Sequence, residues 1–321
     1  MKKILITGGA GFIGHNVVQQ LKQLGHECFI LDSRSDYGFI PRHELNYLFA
    51  ERSKKTNSHG LNVDICDAKR VNNMFISFHP DIVIHLASFP RQKVVNSNPA
   101  LASEVMSTGL INLLECSRLN RIEKFVYISS SMVYGDFDDG VTEDAVCNPQ
   151  GQYGIMKLAG EWLVKDYARR GLFDYTVVRP SAVYGELDVE DRVISKFILA
   201  ALRNQTLKVN GPGEKLDFTH VSDTAKGIAL AAVSNNTNNN TYNITRGQSH
   251  SLLDAAKMII DIAGKGNIEV NDRDLSFPSR GSLDISKARL DFGYSPEVNI
   301  DVGFKQYIDW VTESTFWNKT L

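Results

Sequence analysis

The chain has 321 residues, of which 43% are hydrophobic and 22% are charged, a composition ordinary for a globular protein with a substantial core. A formal net charge of −2, with lysines and arginines spread along the chain, excludes a basic surface for nucleic acid. Four separated cysteines and eight histidines without ligand spacing predict no metal site and no disulfide framework, which fits a reducing cytoplasm. No apolar run approaches the roughly 20 residues of a membrane span.

Short β-branched runs alternate with longer amphipathic stretches through the first half of the chain. Strands are predicted at residues 3–6, 27–31, 81–86, 124–129 and 176–179, and helices at 11–24 and near 99–117. Gly8 and Gly9 end the first apolar run well short of signal-peptide length, so a buried strand is expected there. Strands that are apolar on both faces and separated by helices predict an α/β protein with a doubly wound parallel sheet.

Two polar segments interrupt this alternation. Residues 37–62 include four lysines and arginines and a predicted short helix around 44–52, and we interpret them as an insertion at the edge of a ligand site. Residues 234–240, with the sequence SNNTNNN, are expected to form a solvated connection. Past Pro180 the alternation loosens, and a Gly-Pro-Gly sequence at 211–213 indicates a turn.

A glycine-rich loop with the sequence TGGAGFIG lies between the first strand and the first helix. Gly8 permits the tight turn, Gly11 lets the backbone approach a pyrophosphate, and Gly14 lets the helix pack on the sheet. The helix N-terminus offers free N–H groups to the phosphates. Asp32, at the end of the second strand, is expected to bind the adenosine ribose and repel a 2′-phosphate, which favours NAD over NADP. Arg34 weakens this preference because an arginine can bind that phosphate.

Asp64 follows a short strand-like stretch at 61–63 and has two interpretations. It is placed to meet the adenine, or it caps a helix predicted at 68–75. The sequence leaves both open.

Tyr153 and Lys157 form a Tyr-x-x-x-Lys pair downstream of a serine cluster, Ser129 to Ser131. On a helix the two side chains project from one face, and a nearby cation lowers a tyrosine pKa by about 1–3 units from its ordinary value of about 10. The phenol then becomes a usable general base near neutral pH. A serine hydroxyl beside it can relay the proton. The combination predicts chemistry on an alcohol.

These motifs together resemble the extended short-chain dehydrogenase/reductases, and most closely their nucleotide-sugar epimerases and dehydratases. The resemblance runs from Met1 to about Val311 and is carried by TGGAGFIG, HLAS at 85–88, SSSMVYG at 129–135, YGIMK at 153–157 and RPSAVYG at 179–185. It implies a Rossmann-type NAD-binding domain (1–180 plus about 217–245) and a smaller substrate-binding domain (181–216 and 246–321). It also implies a nucleoside-diphosphate sugar as substrate, and a homodimer joined by a four-helix bundle from residues 99–117 and 153–169.

The resemblance assigns roles to individual residues. The catalytic residues are Ser130, Tyr153 and Lys157. The sugar nucleotide is expected to contact Arg91, Ser131 and Arg280. NAD is expected to contact Gly8, Gly11, Phe12, Ile13, Gly14, Asp32, Asp64, Ile65, Leu86, Ala87 and Lys157. Arg91 and Lys93 have a second interpretation besides an anionic sugar substituent, which is that they face solvent.

Two positions separate the reactions of this family. The 4,6-dehydratases resemble one another in having Asp-Glu after the catalytic Ser or Thr, where this chain has Ser131 and Met132. Neither can act as a carboxylate acid or base, so the sequence favours 4-epimerisation through a transient 4-keto sugar. The alternatives are a sugar-nucleotide reductase or dehydrogenase, a 4,6-dehydratase, and a non-catalytic NAD-binding subunit. Departures from the family pattern occur at Met106, Ala182 and Leu216, which replace Asn, Asn and Arg.

Overall fold

The computed structural model describes residues 1–58 and 60–319 of the chain. Its strands are β1 (Lys3–Thr7), β2 (Glu27–Asp32), β3 (Gly60–Asn62), β4 (Ile82–His85), β5 (Lys124–Ile128), β6 (Asp174–Arg179), β7 (Val183–Tyr184), β8 (Thr206–Asn210), β9 (Lys215–Leu216), β10 (Thr219–His220), β11 (Asn240–Asn243), β12 (His250–Ser251) and β13 (Asn267–Asn271). Seven of them form one sheet in the order β11-β6-β5-β4-β1-β2-β3, with every neighbouring pair parallel.

The helices are α1 (Phe12–Gln23), α2 (Arg42–Thr56), α3 (Ala68–Phe78), α4 (Arg91–Ser97), α5 (Pro99–Ser103), α6 (Gly109–Leu119), α7 (Gln152–Arg169), α8 (Val193–Leu202), α9 (Val221–Val233), α10 (Leu252–Ala263), α11 (Ser286–Phe292) and α12 (Ile300–Glu313). A π-helical turn, Glu104–Thr108, joins α5 to α6, so the helix predicted near 99–117 is continuous in space. Among the helices described, none is long and apolar enough to cross a membrane.

Two apolar layers cover the sheet, one on each face. Ile4 belongs to the layer formed with α1 and α9, whereas its neighbour Leu5 belongs to the layer formed with α3, α6 and α7. Adjacent strand residues point to opposite faces, so a strand buried on both sides has to be apolar throughout. This arrangement confirms the predicted α/β fold with a doubly wound parallel sheet.

A third core lies among the later elements. It is built from α8, α10 and α12, with Phe197, Ile259 and Phe304 fully or almost fully buried. The short parallel pair β8–β13 packs beside it, since Leu207 and Val209 of β8 belong to the same core. The domain boundaries stay a prediction.

The interpretation of residues 37–62 as an insertion is wrong, whereas their predicted place at the edge of a ligand site is confirmed, because Leu45 and Arg52 line the cavity described below. They contain the connection between two neighbouring strands of the sheet, with α2 as its helix and β3 as its second strand. The predicted short helix extends from Arg42 to Thr56. Leu45, Leu48 and Arg52 form its buried stripe. The arginine in that stripe breaks the apolar pattern, which explains why the sequence predicted a shorter helix.

The polar segment 234–240 is also more ordered than expected. Thr237 is fully buried, and its hydroxyl lies 2.7 Å from the carbonyl oxygens of Ala231 and Ser234. The amides of Asn238 and Asn239 donate to the carboxylate of Asp174 at 2.6 and 2.7 Å. The segment connects α9 to β11 as predicted, but through specific hydrogen bonds rather than as a solvated loop.

Candidate active site

A cavity of about 560 Å³ lies at the carboxyl ends of β1, β4 and β5, the edge at which parallel α/β sheets bind ligands. The residues predicted to bind cofactor, to bind substrate or to act in catalysis all line it. The structure therefore brings together side chains that are up to 272 positions apart, Gly8 and Arg280 being the most distant pair.

The glycine loop packs too tightly for a side chain at Gly8 or at Gly14. Gly8 has a φ of +71°, and its N–H donates to the carbonyl of Leu31 at 2.8 Å. A Cβ on Gly14 would lie 2.2 Å from the Gly8 carbonyl oxygen. Because the turn is this close, the N-terminus of α1 faces the cavity, and its free N–H groups suit a pyrophosphate.

We expect Gly14→Ala to weaken NAD binding and lower stability, because the backbone of the turn has to move to admit the methyl group. Overpacking of this kind costs about 1–3 kcal/mol. The nucleotide released on denaturation and the thermal midpoint both report the effect. Gly213→Ala is the control, since a Cβ there meets no atom within 4 Å. Equal NAD content in the two variants would contradict the role of Gly14.

Asp32 ends β2 at the rim of the same turn. Its carboxylate accepts the N–H of Ala10 at 3.0 Å and that of Arg34 at 2.7 Å. Burial raises the pKa of the Asp32 carboxyl, although these two N–H groups oppose the shift. Asp32 lines the cavity, and within the described part of the chain Arg34 is not among the lining residues. The site therefore favours a free ribose hydroxyl over a 2′-phosphate.

Asp64 lines the cavity and accepts the N–H of Cys66 at 2.9 Å. The cap of α3 is instead Asp67, whose side chain accepts the N–H of Arg70 at 3.0 Å. The capping interpretation of Asp64 is therefore wrong, and its place beside a ligand stays a prediction.

Tyr153 and Lys157 project from one face of α7 into the cavity. The Lys157 ammonium lies 5.9 Å from the Tyr153 ring centroid and donates to the carbonyl of Ile128 at 2.8 Å. The N–H of Tyr153 donates to Gln92 at 3.1 Å, which fixes the start of the helix. The Ser130 hydroxyl accepts the N–H of Met132 at 3.2 Å and lines the cavity beside them.

The lowering of the Tyr153 pKa by Lys157 stays a prediction. Burial raises the pKa of Tyr153, and the influences that lower it are the charge of Arg192 and the hydroxyl of Ser130. Burial also lowers the pKa of Lys157 to about 7, with Glu161 opposing that shift.

The residues after Ser130 form a tight turn, Ser131–Val133, at the cavity wall. The Ser131 hydroxyl donates to that of Ser181 at 3.0 Å. Met132 also lines the cavity, so this turn presents a hydroxyl and a thioether. It contains no carboxylate.

Arg91 lines the cavity, but its charge is already paired. It lies 2.6 Å from the carboxylate of Asp191, which Lys93 and Lys196 also approach at 3.5 and 2.6 Å. Burial lowers the pKa of the Arg91 guanidinium, with the nearby Arg192 adding to that effect and Asp191 opposing it. Arg91 and Lys93 therefore share one carboxylate, and contact between Arg91 and a sugar nucleotide stays a prediction.

Arg280 has the opposite character. Its Nε is buried without a hydrogen-bond partner among the described residues, and burial lowers its pKa to about 10 against the charge of Glu214. Buried guanidinium donors are normally satisfied, and an anion such as a diphosphate supplies matching oxygens. The family departures Ala182 and Leu216 line the cavity as well, with Ala182 at a φ of +39°.

Five charged lining residues escaped prediction: Asp36, Arg52, Asp188, Asp191 and Arg192. Asp188 and Arg192 directly follow the RPSAVYG motif in the charged stretch ELDVEDR, which was a usable signal. Arg52 belongs to α2, in the segment expected at the edge of the ligand site, but no local motif distinguishes it from the other cations there.

A model of the NAD dependent epimerase/dehydratase family matches residues 4–245 of the chain. The chain belongs to this family. The motif-based resemblance, the enzyme class and the cofactor prediction are thereby confirmed. The NAD of the family also fits the site, because the glycine turn leaves a cradle that a Cβ would fill and Asp32 stands at its rim.

Individual members of the family align over nearly the whole chain. A Methanocaldococcus jannaschii protein provisionally named UDP-glucose 4-epimerase is 31% identical, covering 96% of this chain and 98% of its own. The dTDP-glucose 4,6-dehydratase of Neisseria meningitidis is 28% identical, covering 100% and 96%. The Thermotoga maritima UDP-glucose 4-epimerase, solved with UDP-glucose, has a TM-score of 0.86 at 26% identity, covering 99% of each chain.

Proposed function

We propose that the protein is a nucleoside-diphosphate-sugar 4-epimerase. The observation that carries this proposal is the turn after Ser130, where Ser131 and Met132 place no carboxylate at the two positions that carry the acid and base of the dehydratases. Epimerisation at C4 needs only a base for one hydroxyl and a reversible hydride acceptor. The epimerase relatives support it further.

Tyr153 removes the proton from the sugar C4 hydroxyl, with Ser130 orienting that hydroxyl and relaying the proton. Bound NAD supplies a hydride acceptor that returns the hydride, so no net redox change occurs. Lys157 donates a hydrogen bond to the Ile128 carbonyl. This bond joins α7 to the end of β5 and so fixes the position of Tyr153 on the same helix. The transient 4-keto sugar rotates in the cavity, so that hydride returns to its other face. Tyr153 then returns the proton to the C4 oxygen.

The reaction is tested by supplying UDP-glucose in deuterated water and following the products by NMR. We expect UDP-galactose to accumulate without deuterium at any carbon, because the exchanged proton stays on oxygen. Deuterium at C5 would contradict simple epimerisation and indicate dehydratase chemistry, the reaction of the Neisseria relative. Consumption of added NADH would instead indicate a reductase.

We propose that Arg280 binds the substrate diphosphate through its unpaired guanidinium. Arg280→Met should raise KM about tenfold or more, because a hydrogen bond to a charged group contributes about 1.5–3 kcal/mol. Arg280→Lys should recover part of the loss. Arg289→Met is the control, since this exposed arginine of α11 is outside the cavity lining. Unchanged KM in Arg280→Met would contradict the assignment.

We propose a homodimer through α6 and α7, the helices of the predicted bundle. Ile155 and Trp162 lie two helical turns apart on α7 and are 52% and 59% exposed. Exposed apolar side chains aligned in this way are typical of protein interfaces. Trp162→Glu should yield monomers in sedimentation, whereas Ile76→Glu on α3 should not. A dimer that survives both changes would contradict this interface.

We further propose that the enzyme acts in the cytoplasm, in carbohydrate biosynthesis, where nucleotide sugars are the activated donors. The four free cysteines fit a reducing compartment.

A further inference from the structure

One wall of the cavity is a loop of residues 187–192, between β7 and α8. Asp188 and Arg192 are two of the lining residues that it contributes. Leu187 has a φ of +66°, a conformation that a leucine keeps only where its surroundings impose it. The shape of the loop therefore depends on the contacts that hold it.

Helix α2 supplies two of those contacts. The Arg52 guanidinium donates twice to the carbonyl of Leu187, from Nε at 3.2 Å and from Nη2 at 2.6 Å. The Glu44 carboxylate accepts the N–H of Glu190 at 2.7 Å. Arg52 and Glu44 are 4% and 1% exposed, so both ties are shielded from water and resist competition by solvent.

The far end of the loop is held from another direction. Arg91, at the start of α4, donates to the carbonyl of Asp191 at 2.5 Å and pairs with its carboxylate. The next residue, Arg192, is tied more loosely, with its Nε 3.9 Å from the Asp188 carboxylate. The loop thus has two fixed ends and presents one loosely paired guanidinium to the cavity.

Arg192 shares the cavity with Tyr153, and its charge is the largest of the influences that lower the pKa of that phenol. Other polar groups around Tyr153 are Ser130, Lys157 on α7, Tyr127 on β5 and Gln92 on α4, which accepts the N–H of Tyr153. Lys157 is committed to the Ile128 carbonyl, so Arg192 is the cation whose place depends on a loop.

We propose that Arg52 is a positioning residue that acts through the 187–192 loop to keep Arg192 beside Tyr153. The charge of Asp32 also acts on Arg52. Helix α2 therefore interacts both with the predicted cofactor-binding side of the cavity and with the loop that carries Arg192. The inference rests on the proposed function in that Tyr153 is the base. It predicts that Arg52 loses its influence once Arg192 is removed.

The test is a double-mutant cycle on Arg52→Met and Arg192→Met in the intact protein. Each single variant should lower kcat about tenfold, within the range seen when distant changes misplace a catalytic group, and KM should stay nearly constant. The double variant should equal Arg192→Met, because independent sites would instead add. Arg42→Met is the matched control, an arginine on the same helix that is 62% exposed.

A second readout needs no substrate. The ultraviolet titration of Tyr153, taken as the difference from the same background carrying Tyr153→Phe, should move to higher pH in both single variants and no further in the double variant. Arg52→Lys, which keeps the charge and a single donor, should lie between wild type and Arg52→Met, and it serves as the test if the methionine variant does not fold.

Additive effects, or a Tyr153 titration that Arg52→Met and Arg52→Lys leave unmoved, would overturn the proposal. If the titration moves as expected while the wild type turns over no sugar nucleotide, the positioning role stands and the proposed function fails. The two conclusions are therefore separable.

Discussion

Replacing Tyr153 by phenylalanine is expected to lower kcat by about 10²–10⁴-fold, the usual contribution of a positioned general base. Tyr153 lines the cavity, and its backbone is held by Gln92, so the loss of one hydroxyl leaves the helix and the glycine turn in place. NAD content and the thermal midpoint should stay close to those of the wild type. Steady-state turnover of the C4 epimers measures the effect.

Tyr175→Phe is the matched control. This tyrosine belongs to β6, is partly buried, and is not among the residues lining the cavity in the described part of the chain. Its activity should equal that of the wild type. Full activity in Tyr153→Phe would exclude Tyr153 as the base of the mechanism.

Replacing Glu161 by leucine is expected to reduce the free energy of unfolding by about 3–5 kcal/mol, because it leaves Arg179 as an unpaired buried charge. Glu161 is fully buried and accepts two hydrogen bonds from Arg179, at 2.9 and 2.7 Å, and one from Ser129 at 2.6 Å. Burial alone would raise the pKa of Glu161, and Arg179 holds it below the ordinary value. Urea unfolding followed by circular dichroism measures the change.

Two further variants separate a buried charge from a lost contact. Glu161→Leu combined with Arg179→Met should recover part of the stability, since the unpaired charge is gone. Glu123→Leu removes an exposed ion pair with Lys2 and should change stability little. A double variant no more stable than Glu161→Leu would show that the pair acts through shape rather than charge. The network includes Ser129, the residue next to Ser130, so kcat should fall in Glu161→Leu as well.

The parts of the site that lie in short motifs could be predicted from the sequence. The spacing of Gly8 and Gly14 predicts the strand, turn and helix because these elements follow one another directly in the chain. The spacing of Tyr153 and Lys157 likewise predicts that both lie on one face of a helix. The alternation of strands and helices was enough to predict the doubly wound sheet.

The parts that depend on long-range contacts could not be predicted. Arg52 looked like one charge in a polar insertion because its partner, the Leu187 carbonyl, is 135 residues away. The ion pair between Arg91 and Asp191 could not be predicted, because the two residues are 100 positions apart. Spacing predicts that Lys157 is near Tyr153, but the burial of Tyr153 and the nearby charge of Arg192, which also affect its pKa, appear only in three dimensions.

The central claim is that hydride leaves C4 of the sugar and returns to the same carbon without release. UDP-glucose carrying deuterium at C4, given to the purified protein without added nucleotide, tests this directly. The account predicts UDP-galactose with the deuterium retained at C4. Label lost to water or recovered in free NADH would contradict it.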